Sequence, residues 1–208
     1  MKMKRYGLVL ALPLALLVGC GDADELKTTA TDTEEVAAAE TEKQIAEPKE
    51  ETEVQESELG SNQIYMKNKA LDIYETIGSI QFVIDKVQTS RLTVEESYRE
   101  LFDGKEAVTV VAMNVIVENT IDDTISFHPN QATLVTNTGE QVTADIWYSD
   151  DVGGEFLGKV KKEGNVLFFV ETMPEELTEV RFIVDGPFDA NYEQIAEDRY
   201  EYKIDVTK

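Results

Sequence analysis

The chain is 208 residues long and carries 42 acidic residues against 19 lysines and arginines, a formal charge of −23. That balance argues against nucleic acid as a partner, because affinity for phosphates needs a basic face. A single cysteine and a single histidine exclude an internal disulfide and the zinc sites that need several sulfur or nitrogen donors.

The chain starts MKMKRY, with three positive charges and no acids, and continues into the apolar run GLVLALPLALLVG, Gly7 to Gly19. A transmembrane helix needs about 20 apolar residues, and this run is shorter. A basic start followed by a short apolar segment has the design of a secretory signal peptide, here residues 1–19. The next quartet, Leu17-Val18-Gly19-Cys20, resembles the bacterial lipobox. The resemblance implies a diacylglycerol thioether on Cys20, cleavage before it, and acylation of the new amine, palmitate being the usual chain. Two or three acyl chains hold firmly, since each buried methylene contributes about 0.8 kcal/mol. The chain is thereby expected on the extracytoplasmic face of the cell membrane, tethered by lipid. An ordinary signal peptide with an unrelated cysteine, or a short anchor helix, are the alternatives.

Residues 20–63 change character. From Gly21 to Glu58 fourteen acids face three lysines, aromatic residues are absent, and large apolar residues are few. Such a segment buries too little surface to offset the entropy of ordering, so a disordered acidic linker is expected. Its root-mean-square reach is roughly 35 Å. Acidity keeps it off an anionic lipid surface.

Residues 64–208 are long enough for one domain with its own core. Period-two alternation dominates them. Ile80, Phe82 and Ile84 share a face, as do Val111, Met113, Val115 and Val117. EQVTADIWYS sets Val142, Ala144, Ile146 and Tyr148 against Thr143, Asp145 and Trp147. NVLFFVE is apolar on both faces; EVRFIVD and RYEYKIDVTK alternate again. VTNTGEQV is expected to form a hairpin, with Gly139 at the turn. One short helix is expected at EESYRELF, with Thr93 and Glu96 as its capping box and Gly104 as its end. Asn191 to Asp198 forms a second short helical or irregular piece. Seven to nine short strands at this spacing indicate an all-β antiparallel sandwich. Period alone does not separate it from a closed barrel.

The stretch NVIVENTIDDTISFHPNQATLVTNTGEQVTAD, followed by GGEFLGKVKKEGNVLFFVE, resembles a secreted bacterial domain of unknown function. Its fold is immunoglobulin-like, the fold also found in the mycobacterial immunoprotective secreted antigen. The resemblance covers roughly Ile80 to Val206 and rests on turn and core positions. It implies an immunoglobulin-like sandwich on a lipoprotein and supplies no known catalytic residues, none being established for that family.

No motif supplies chemistry. His128 precedes Pro129 in a loop, with no Gly-x-Ser-x-Gly elbow anywhere to make a serine triad. Asp122-Asp123, Asp150-Asp151 and Glu175-Glu176 are adjacent pairs, and adjacent residues in extended chain point apart. Asp150, Asp151 and Glu155 around two glycines offer oxygen ligands for calcium but not the EF-hand spacing. The expectation is therefore a non-enzymatic, lipid-anchored binding module of the cell envelope. It has no catalytic residue, no metal and no cofactor, and a protein partner in the envelope. A calcium-dependent structural module and an envelope enzyme of unrecognised type are the alternatives. Trp147, on the polar face of its strand, is the expected partner-binding residue. Two competing expectations place it otherwise: Pro187 to Asp198 folds over it, or a β-bulge turns it inward.

Overall fold

The computed structural model describes residues 53–207, all within the compact unit Pro48–Lys208. The leader, Cys20 and the linker up to residue 52 lie outside the described residues. In chain order the strands begin β1 (Val54–Ser57), β2 (Gly60–Asn68), β3 (Ile73–Ile77), β4 (Ile80–Val94) and β5 (Ala107–Asn119). Then come β6 (Thr124–Phe127), β7 (Thr133–Thr136), β8 (Gln141–Thr143), β9 (Gly154–Leu157) and β10 (Lys161–Val170). The last are β11 (Glu179–Asp185), β12 (Phe188–Asp189) and β13 (Arg199–Asp205).

All pairings are antiparallel. The large sheet runs β1-β2-β4-β5-β10, with β3 also on β4; the others run β13-β11-β7-β8 and β12-β6-β9. Aromatic rings join the layers. Phe82 of β4 meets Phe127 of β6 edge-on at 5.7 Å, Phe182 of β11 at 6.1 Å and Tyr202 of β13 at 5.4 Å. Phe168 of β10 meets Phe182 edge-on at 6.0 Å. The alternating residues Ile80, Phe82, Ile84 and Val111, Met113, Val115, Val117 are fully buried between these layers. This is an immunoglobulin-like antiparallel sandwich: the alternation implies the sandwich, and the resemblance implies its immunoglobulin-like form.

β4 serves two cores. Pairing with β5 slips between Ile84 and Lys86, leaving Asp85 as the extra residue of a bulge. Beyond it, Leu92 and Val94 are buried on the opposite face, with Leu59, Phe102, Val108 and Val110. That smaller cluster is capped by a 3-10 helix, Glu96–Phe102.

Three expectations are corrected. The domain starts before residue 64: Glu53 to Gln63 includes β1 and the start of β2, so residues 53–63 are not linker. β1 faces solvent with every side chain, which is why an acidic, apolar-poor composition conceals it. Gly60 makes the turn at φ +134°, where a Cβ would collide with the Thr93 carbonyl. The helix is 3-10 and lacks its capping box, because Thr93 is held in β4 opposite Ser61 and Ala107. Its end is as expected, with Gly104 N donating to Arg99 O at 2.8 Å. Finally, the strand expected over EQVTADIWYS stops at Thr143. Asp145 Oδ1 accepts from Trp147 N at 2.9 Å and Tyr148 N at 3.2 Å, and this Asx-type turn takes the chain out of the sheet.

The β7–β8 hairpin is clamped by a carboxylate. Glu140 accepts from Glu171 N at 2.7 Å and from Thr172 N and Oγ1 at 3.0 and 2.8 Å. Burial alone would raise this carboxyl, but those donors, with Lys105 nearby, together hold it below its ordinary value. A depressed folded value stabilises the fold above the unfolded carboxyl pKa of about 4.3, and the gain is lost as pH falls through the folded value. Glu140→Gln is expected to cost about 1 kcal/mol at pH 7, the difference between charged and neutral acceptors. Thermal melts should show a drop of roughly 2–4 °C at pH 7 that narrows by about pH 3.

Candidate functional site

The Asp145 turn displays the exposed apolar residues of the region. Trp147 is 87% exposed, Ile146 56%, and Leu101, from the neighbouring 3-10 helix, 62%. The turn is rigidly mounted. Asp145 N donates to Leu167 O and Asp150 N to Asn165 O, both at 2.8 Å. Leu167 N donates in return to Ser149 Oγ at 2.9 Å, and Asn165 N to Asp150 Oδ2 at 2.6 Å. The loop thus covers the free edge of β10, where unpaired backbone groups would otherwise invite another strand.

Tyr148 roots the turn. Its ring meets Phe169 edge-on at 5.8 Å, and Phe169 meets Phe102 at 5.0 Å within the smaller cluster. Burial, helped by the Asp145 carboxylate, pushes the Tyr148 hydroxyl above its ordinary value, so it is neutral at physiological pH. Leu101, Phe102, Asp145, Trp147 and Tyr148 together line a cavity of about 410 Å³. Neither Pro187–Asp198 nor an inward bulge covers the indole. Trp147 is exposed because it sits at a turn, not because it lies on the polar face of a strand. Ile146 and Tyr148, expected to point inward, flank it instead. Leu101 was not legible as part of this surface, since only folding brings the 3-10 helix beside the turn.

The other residues considered for chemistry are dispersed. His128 is exposed, and its Nδ1 lies 3.3 Å from Gln131 Nε2. Desolvation of the side of the ring that faces the protein, reinforced by Lys162, holds its pKa below the ordinary histidine value, although the residue as a whole is exposed. Asp150 is occupied by Asn165, Asp151 pairs with Lys162 at 3.3 Å, and Asp122 pairs with Lys159 at 3.1 Å. Among the described residues no three His, Cys, Asp or Glu side chains gather where a metal ion could be held. Among the same residues no helix is long and apolar enough to cross a membrane.

No family model matches the chain. It is 25% identical over 166 residues to the SPbeta prophage-derived uncharacterized lipoprotein YonS of Bacillus subtilis strain 168, covering 74% of this chain and 80% of YonS. Among solved structures it is similar to a functionally unknown protein from Listeria monocytogenes EGD-e, with a TM-score of 0.56 at 10% identity. That match covers 71% of this chain and 89% of the other. A looser match is the YjhA protein of Bacillus subtilis, with a TM-score of 0.44 at 15% identity, covering 66% and 99% of the two chains. The Listeria likeness is one of fold. The sequence relation to YonS is the one that bears on cellular setting.

Proposed function

We propose that the chain is a lipid-anchored, non-enzymatic binding module on the extracytoplasmic face of a bacterial cell envelope. In this reading Cys20 carries the lipid and the Trp147 turn engages a protein partner. The anchor is supported by Leu17-Val18-Gly19-Cys20 behind a basic, apolar leader, and by similarity to a protein named as a lipoprotein. The likeness in fold to the mycobacterial antigen belongs to the same proposal and rests on the turn positions Asn119-Thr120 and Gly158-Lys159-Val160.

The observation that carries the binding role is an indole held 87% exposed on a turn fixed by backbone and side-chain bonds. Presenting a preorganised aromatic costs little ordering entropy on association, and tryptophan dominates binding hot spots. A non-enzymatic role is supported by the engagement of three of the loop carboxylates, Asp122 and Asp151 with lysines and Asp150 with a backbone N–H, and by His128, which faces an amide.

The test has two arms. Cys20→Ser should either release the chain from membranes or leave it unprocessed with its leader attached; unchanged processing together with membrane retention would refute the tether. A photo-crosslinking residue at position 147 in intact cells should yield a discrete adduct that one at Tyr192, itself 86% exposed, does not. Trp147→Ala should weaken capture of that partner by tenfold or more, about 1.4 kcal/mol. Its melting temperature should stay within about 2 °C of the parent, as for a surface change. A large loss of stability would make Trp147 a structural residue, and undiminished capture would remove it from the interface.

A further inference from the structure

On the face of the large sheet turned away from the sandwich core lies a groove of about 430 Å³. The strand register builds it. Lys67, Gln88, Ala112 and Leu167 stand side by side across β2, β4, β5 and β10, and Lys86, Asn114 and Asn165 form the next row. They face outward because their neighbours along the strands, among them Val87, Val111, Met113, Val166 and Phe168, are buried in the core. The loop along β10 supplies a wall, with Tyr148 and Asp150.

The charge of this groove is opposite to that of its surroundings. From residue 64 onward acids outnumber bases 28 to 13, yet the groove is lined by Lys67, Lys69 and Lys86 against Asp150 alone. Asp150 is committed to Asn165. Lys67 pairs with Glu53 and Lys86 with Asp85, each at 3.0 Å, while among the described residues Lys69 forms no ion pair, although its charge acts on the Glu53 carboxylate. Both pairs are partly open to solvent, and pairs of that kind contribute about 0–1 kcal/mol, so a ligand anion replaces them at small cost. Acids elsewhere on the domain oppose an approaching anion, but at physiological salt their field decays over about 8 Å.

Hydrogen-bonding capacity is also left over. Lys86 Nζ donates to Asn114 Oδ1 at 3.3 Å, leaving the Asn114 NH2 free. Among the described residues the Gln88 amide has no hydrogen-bond partner, and Asn62 Oδ1 is buried without a donor. Ala112 and Leu167 give the floor an apolar strip. Ammonium groups suit an oxyanion, free amides suit hydroxyls that both donate and accept, and an apolar floor suits carbon-bound hydrogens. We propose that this groove binds an extended polyol bearing oxyanions, either carboxylates or phosphodiesters. Lys69, Lys67 and Lys86 take the oxyanion, and Gln88, Asn114 and Asn62 take the hydroxyls. The inference does not rest on the reading of Trp147.

Full-length protein in detergent is titrated calorimetrically with three chains of matched length: oligo(glycerol phosphate), oligogalacturonate and neutral maltoheptaose. An anionic chain should bind with a dissociation constant below about 1 mM, and maltoheptaose at least tenfold more weakly. Which anionic chain wins distinguishes phosphodiester from carboxylate. Lys69→Gln and Asn114→Ala should each weaken binding about tenfold, one charge-assisted or bridging hydrogen bond apiece. Trp147→Ala should leave it unchanged, which separates this site from the partner surface. Side-chain amide shifts of Gln88 and Asn114 in the parent protein should move on titration, a readout independent of how the variants fold. Equal affinity for maltoheptaose, no binding of either anionic chain, or titrations indifferent to both substitutions would overturn the proposal.

Discussion

Phe82→Ala is expected to destabilise the domain by about 3–5 kcal/mol, the largest loss of any single substitution considered. For a domain of this size that corresponds to a melting temperature lower by roughly 6–20 °C. Phe82 is wholly buried, and its ring touches Phe127, Phe182 and Tyr202, which belong to both of the sheets facing its own. Truncation removes the transfer energy of the ring and leaves a cavity that three sheets would have to shift together to close. Phe82→Leu should cost about half as much, because most of the volume remains. Urea unfolding should show the midpoint fall at unchanged slope. A loss under about 1 kcal/mol for Phe82→Ala would mean that this ring does not hold the layers together.

The core positions of that cluster were legible because a strand with one buried face repeats every two residues. Ile80, Phe82 and Ile84, and Val111 to Val117, follow that rule and are buried as the pattern implies. The pattern fails where local polar chemistry or tertiary support overrides it. At EQVTADIWYS the alternation runs past Thr143, but a short carboxylate at Asp145 offers the backbone a turn that competes with the ladder. β1 shows the reverse case. It has no buried face, so no periodicity announces it, and it is held by its pairing with β2. Thr93 and Glu96 have the spacing of a capping box, yet long-range pairing keeps Thr93 extended.

The surface around the turn was partly legible. A lone tryptophan on the polar side of an alternating run is conspicuous in sequence, and Trp147 is exposed. Its companions were not foreseeable, because Leu101 is 46 positions away and reaches the turn only through the packing of Phe102 and Tyr148 on Phe169. The lysine groove was less visible still. Lys67, Lys69 and Lys86 are scattered through an acidic sequence, and only the pairing of β2 on β4, with Lys69 just past the end of β2 and Lys86 just before Val87, gathers them. Overall net charge is a property of the domain, whereas a binding site samples only the charges within a Debye length.

Asn119→Ala is expected to cost about 3 kcal/mol and to lower the melting temperature by roughly 6–12 °C. Asn119 ends β5, in the Asn-Thr pair that underlies the resemblance to secreted immunoglobulin-like domains, and its side chain is entirely buried. Its amide is used in full: Nδ2 donates to Asp123 O at 2.8 Å and Gly158 O at 2.9 Å. Oδ1 accepts from Ser79 Oγ at 3.1 Å and Ile121 N at 3.3 Å. One side chain thus joins three turns, those after β3, β5 and β9, and truncation removes the partner of two carbonyls and two donors at a point where the Asn119 side chain is itself wholly buried. Asn119→Asp separates this account from one of packing alone, since it preserves shape while setting a carboxylate against the two carbonyls. The folded pKa of the new carboxyl must rise above the unfolded value of about 3.9, so the folded state binds its proton more tightly. The penalty is then full at neutral pH and shrinks as pH falls toward that value. Ser79→Ala, which removes one acceptor bond and leaves the Nδ2 pair intact, should cost about 1 kcal/mol. Chemical denaturation of the three variants at pH 7 and pH 4 decides the matter. If Asn119→Asp were as stable as the parent at pH 7, the amide would not be donating to Asp123 and Gly158, and the turns would be held by backbone pairing alone.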